Sequence, residues 1–75
     1  MNIHHRQLSD LIKKYAQPSP ENDKAVREFV RMCRVEVMCG TAVTMPDLAG
    51  NTYADLATFD KWRTNRFPRL YPSTE

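Results

Sequence analysis

The sequence predicts an all-α fold, a small domain of three to four helices whose C-terminal half could form a helix-turn-helix. Apolar residues recur at helical spacing along much of the chain, and helix-start and helix-stop signals separate the apolar runs. The 75 residues, 41% of them hydrophobic, suffice for one modest core and not for two, so we expect a single domain. The predicted helices span about residues 3–16, 20–38, 45–50 and 53–65, and residues 66–75 are predicted to form an extended tail.

The first half of the chain gives the clearest helical signals. Leu8 and Leu11 belong to an apolar face with helical spacing, and the prolines that follow end this first helix. Ser19 then supplies a hydroxyl cap, and Pro20 suits the first position of the second helix. A strand over residues 34–38 is an alternative, because valines alternate there with polar residues. The longer helical match favours a helix.

The second half predicts a short helix followed by a longer one. Gly50 is expected to stop the short helix. Thr52 and Asp55 resemble a capping box with aspartate in place of glutamate. Phe59 and Trp62 follow at helical spacing, so we expect them on the buried face of the last helix.

Composition narrows the classes of function. The net charge of +2 is too small for a protein that coats nucleic acid through its overall charge. No signal peptide or membrane span is visible, and Cys33 and Cys39 are read as reduced thiols, so we expect a soluble, cytoplasmic protein without membrane contact. The adjacent His4 and His5 have the wrong spacing for joint metal binding on a helix. We find no catalytic constellation, and we expect no enzyme activity, metal or cofactor.

The last two predicted helices match the layout of a helix-turn-helix. The longer helix would bury Phe59 and Trp62 against the rest of the domain and turn a small polar stripe outward. Such a stripe can reach base edges in a major groove while neighbouring arginines contact phosphates. The predicted base-facing residues are Thr58, Lys61 and Asn65, and the predicted phosphate contacts are Arg63, Arg66 and Arg69.

Three short segments carry a family resemblance: residues 48–49 (Leu-Ala), 58–62 (Thr-Phe-Asp-Lys-Trp) and 66–68 (Arg-Phe-Pro). Together they resemble the DNA-binding segment of the AlpA and excisionase type of phage and mobile-element regulators. The resemblance covers about twenty of the 75 residues. It implies a small DNA-binding regulatory protein, which could bind two half-sites as a homodimer.

A protein target is the alternative to DNA. Tryptophan, tyrosine and arginine dominate binding hot spots, and the C-terminal segment combines them. The protein would then be a non-enzymatic adaptor or inhibitor that docks on a larger protein. Its predicted anchors are Trp62, Phe67 and Tyr71. A third interpretation makes Phe59, Trp62 and Phe67 core residues, and the arginines an ordinary solvated edge.

The second helix carries a further cluster of charge. A basic strip on one side could face an acidic partner or a nucleic-acid backbone, or could be the ordinary solvated face of an amphipathic helix. Val35 and Met38 project toward this charged side instead of the core. They either mark an interface for a partner helix or cover the start of the next loop. The strip consists of Lys24, Arg27, Arg31 and Arg34.

Overall fold

The computed structural model describes residues 1–46 and 50–73. The described part is mostly helical, but it also contains a small antiparallel sheet, so the prediction of an all-α fold is corrected. The two strands pair Val43 with Tyr53 and Met45 with Asn51. The elements in chain order are α1 (His5–Ala16), α2 (Pro20–Met38), β1 (Val43–Met45), β2 (Asn51–Tyr53) and α3 (Leu56–Arg66).

The first two helices follow the local signals in the sequence. The hydroxyl of Ser19 accepts a hydrogen bond from the amide of Asn22 at 3.0 Å, and α2 has the predicted bounds. Helix α1 begins two residues later than predicted. The reason is tertiary: the amide of Ile3 donates to the carbonyl of Thr44 at 3.0 Å, which draws residues 1–3 alongside β1.

The predicted short helix over residues 45–50 is wrong at its first residue, because Met45 lies in β1 and pairs with Asn51. Residues 47–49, with the Leu-Ala pair of the family resemblance, lie outside the described residues. Gly50 has a φ of +77°, a conformation that favours glycine and lets the chain reverse into β2. Cross-strand pairing, which no local window of sequence reveals, selects strands here.

Helix α3 begins at Leu56, three residues later than predicted. Tyr53 is still part of β2, and the hydroxyl of Thr52 lies 3.1 Å from that of Thr44 across the sheet. The predicted cap at Thr52 is therefore wrong. Asp55 caps the helix instead, since its carboxylate accepts a hydrogen bond from the amide of Thr58 at 2.9 Å.

Residues 67–71 are folded onto the domain, which corrects the prediction of an extended tail for this part of the chain. Phe67 is fully buried, with its ring centroid 5.0 Å from that of Tyr15 and 5.7 Å from that of Trp62. The amides of Leu70 and Tyr71 both donate to the carbonyl of Phe67, which closes a turn after α3. The interpretation of Phe59, Trp62 and Phe67 as core residues agrees with their burial.

A single buried cluster joins all five elements. It is made of aliphatic residues from α1 and α2, of β-strand residues and of the aromatic residues of the C-terminal third. Among the residues described, no helix combines the length and the apolar character needed to cross a membrane. The cluster contains Ile3, Leu8, Leu11, Val26, Val30, Cys33, Val37, Val43, Met45, Tyr53, Phe59, Trp62 and Phe67.

Candidate functional site

The predicted base-facing stripe exists as an exposed surface of α3. Thr58, Lys61 and Asn65 are all exposed and share one helical face, while Trp62, at the edge of that face, is buried. Thr58 also stabilises the start of α3, because its hydroxyl donates to the carboxylate of Asp55 at 2.9 Å. The hydrogen bonds from Thr58 also lower the pKa of Asp55. The stripe therefore begins at a carboxylate that stays ionised.

The predicted phosphate contacts are less available than the sequence suggested. Arg69 binds both carboxylate oxygens of Asp23 at 3.0 Å, and its guanidinium lies 4.8 Å from the ring centroid of Tyr15. Arg63 lies 3.6 Å from a carboxylate oxygen of Asp60 and stacks over a tyrosine ring of the C-terminal turn. Through these contacts, the two arginines hold the residues after α3 against the rest of the domain. Arg66 is exposed at the end of α3.

The basic strip of α2 is divided in the same way. Arg34 makes a bidentate ion pair with Asp60, at 2.9 and 3.3 Å, and thereby joins α2 to α3. This hydrogen-bonded carboxylate also raises the pKa of Arg34. Lys24, Arg27 and Arg31 remain exposed. In this strip, Arg34 therefore stabilises the fold, and the other three side chains remain in solvent.

The three predicted protein-binding anchors hold the fold together. Trp62 and Phe67 are buried, so little of either ring is left for a partner to contact. Tyr71 is half-buried beneath Arg63, whose guanidinium carbon lies 4.7 Å from the ring centroid. Burial raises the pKa of Tyr71. A partner that docks on this protein would therefore find more exposed apolar surface elsewhere.

Such a surface lies on α2, on the side away from the core. Met32, Val35 and Met38 are 43%, 47% and 60% exposed, the highest values among the large apolar residues of the helices. In the sequence, Val35 and Met38 depart from the buried stripe of α2. That pattern alone fits two interpretations, an interface for a partner and a cover for the following loop. We call Met32, Val35, Met38 and Cys39 the outer face of α2.

Charged residues border the outer face and make it concave. A shallow groove is lined by Met32 and Val35 together with Glu28, Arg31 and Glu36. Neither Arg31 nor Glu36 forms a side-chain hydrogen bond or ion pair with another described residue. An apolar strip with charged borders that have no partner is typical of an interaction surface.

Cys33 lies on the buried face of α2, and Cys39 directly follows the last residue of the helix. Cys33 is fully buried in the core, and burial raises the pKa of its thiol to about 11. Cys39 is exposed at the end of α2, and both thiols are free. Within residues 1–46 and 50–73, no three histidine, cysteine or carboxylate side chains are grouped closely enough to hold a metal ion.

No family model, curated protein or solved structure gives a significant match to this chain. The resemblance of the C-terminal segment to AlpA-type regulators therefore stays a prediction. The outer face of α2 and the polar stripe of α3 are the two candidate binding surfaces.

Proposed function

We propose that this chain is a non-enzymatic protein-binding domain that docks through the outer face of α2. The observation that carries the proposal is the exposure of Met32, Val35 and Met38 on the side of the helix opposite the core. The proposal retains the protein-binding function that the sequence offered as the alternative to DNA binding. It places the docking surface on α2 instead of on the C-terminal segment. Two free cysteines fit a reducing compartment such as the cytoplasm.

The energetics favour a covered outer face. Each of these side chains still has close to half of its surface in water, so covering it contributes about 1 kcal/mol of hydrophobic free energy. Methionine is enriched at protein interfaces because its unbranched, polarisable side chain adapts to different partner surfaces. Charged residues at the border add orientation more than affinity. The outer face supplies both the apolar side chains that give affinity and the charged borders that give orientation.

A capture experiment with matched variants tests the proposal. Wild-type protein, Val35→Lys and Lys61→Glu are immobilised and exposed to lysate of cells that produce the protein, and bound proteins are quantified. Val35→Lys places a charge at the centre of the outer face, whereas Lys61→Glu changes the exposed face of α3. We expect proteins that bind wild type and Lys61→Glu but not Val35→Lys. Identical sets on all three would contradict the proposal.

DNA binding is the second candidate, and one observation favours it. Because Trp62 is buried, α3 is held against the core with Thr58, Lys61 and Asn65 exposed along one face. Arg66 adds a further exposed cation at the end of the helix. A small polar stripe of this kind suits the edges of bases in a major groove.

Titration with mixed-sequence duplex DNA at increasing salt tests this candidate. Phosphate contacts release counterions, so the logarithm of the association constant should fall linearly with the logarithm of salt concentration. Arg66→Ala should make this slope shallower by about one, because one phosphate contact is lost. Lys13→Ala on α1 is the control with the same loss of charge. No binding at low salt would exclude the candidate.

A further inference from the structure

We infer that the partner on the outer face of α2 is a second copy of this chain, with the two α2 helices parallel and in register. This inference rests on the proposed protein-binding role and names its partner. It follows from the spacing of the apolar residues along α2, from the charges beside them and from the exposure of this face. Each of these is a property of α2 itself.

Helix α2 carries two apolar stripes on opposite sides. The buried stripe includes Val30 and Cys33, which pack into the core. The exposed stripe has Met32 and Val35, continued by Cys39 just past the end of the helix, at the spacing of three and four residues that forms a coiled-coil seam. In heptad notation Met32 and Cys39 are a positions and Val35 is a d position. One stripe builds the domain, and the other is free to pair with an identical helix.

The bordering charges select the parallel orientation. With Met32 at an a position, Arg31 is at g and Glu36 is at e. In a parallel pair, g of one helix lies beside e of its neighbour, so two Arg31–Glu36 ion pairs form, one on each side of the seam. An antiparallel pair places g beside g and e beside e, which separates Arg31 from Glu36. Within the described protomer, neither residue has another ion-pair partner.

The short seam predicts a weak and reversible dimer. Contacts limited to one face of α2 bury less than the roughly 1,200 Å² of a standard stable interface. Glu28 occupies the preceding d position and opposes its own copy, which limits the pairing at its N-terminal end. A dissociation constant between about 10 µM and 1 mM is therefore expected.

Charge reversal with compensation tests the pairing by sedimentation equilibrium at low salt. Arg31→Glu or Glu36→Arg replaces two attractive contacts with two repulsive ones, and each should weaken the dimer about tenfold. The double variant Arg31→Glu/Glu36→Arg restores opposite charges and should return to within about threefold of wild type. Lys13→Glu and Asp10→Arg make the same changes of charge on α1 and should leave the dimer unchanged.

Orientation is tested separately by oxidation of Cys39. Parallel pairing places Cys39 opposite its own copy, so oxidised glutathione should convert the two thiols to an intermolecular disulfide while the glutathione is reduced. Cys39→Ser should abolish the covalent dimer. Arg31→Glu should slow its formation, and the double variant should restore the rate. A disulfide formed equally fast in Arg31→Glu would overturn the parallel arrangement.

The outcomes separate this inference from the proposed function. A wild-type protein that stays monomeric up to about 1 mM, yet captures other proteins through Val35, overturns self-pairing and leaves the protein-binding role intact. A monomer that captures the same proteins with and without the Val35→Lys substitution overturns both. A dimer weakened by single charge reversal and restored by the double variant supports both.

Discussion

Substitution of Phe67 by alanine tests whether the segment after α3 is part of the core. Phe67 is fully buried, and its ring packs edge-on against Tyr15 and Trp62. Removal of a buried phenylalanine ring costs about 3–5 kcal/mol, through lost hydrophobic burial and the cavity left behind. A domain of this length has a total stability of about 4–11 kcal/mol. The variant should therefore lose a large fraction of its folding free energy.

Urea denaturation followed by far-UV circular dichroism measures this loss, and a thermal scan should show a fall in Tm of more than about 12 °C. Asn65→Ala, two residues earlier and exposed, is the control and should change stability by less than about 0.5 kcal/mol. If Phe67→Ala were as stable as this control, the segment would not be anchored and the packing described for Tyr15 would be wrong.

Three further predictions address the helix caps and the thiols. Ser19→Ala should destabilise the protein by about 1 kcal/mol, because the amide of Asn22 loses its acceptor; a change in the urea midpoint measures it. The hydrogen bonds from Thr58 lower the pKa of Asp55 in the folded protein, so its contribution to stability is present above the ordinary pKa of an aspartate, about 4, and is lost as pH falls through the lowered pKa. Asp55→Asn, which keeps a capping oxygen, should lose less stability than wild type between about pH 5 and pH 2; equal losses would refute this role. Finally, a thiol reagent should modify Cys39 rapidly and Cys33 only on unfolding, whereas two fast thiols would show that Cys33 is not protected.

The helical part of the fold could be predicted because its signals are local. Ser19 and Pro20 define the start of α2 from adjacent residues, and the apolar periodicity identifies the faces that meet in the core. The burial of Phe59 and Trp62 followed from the same periodicity. The sheet could not be predicted in this way. Its strands have three residues each; each is stabilised by the other, and β1 also by the N-terminal segment.

The candidate site was harder to predict because residue type does not reveal which charges are already paired. Arg34, Arg63 and Arg69 look like free cations in the sequence, but each has a carboxylate partner on another turn or element. Their partners are distant in sequence in two of the three cases, so no local pattern identifies them. Val35 and Met38 stood out only because they departed from the buried stripe of α2.

Site-specific photo-crosslinking tests most directly the claim that the outer face of α2 is a binding surface. A photoreactive phenylalanine analogue replaces Val35 in one variant and Lys61 in another, and intact cells that produce each variant are irradiated. We expect a discrete crosslinked protein product from position 35, either a second copy or another protein, and none from position 61. No product at position 35, or equal products at both positions, would contradict the account.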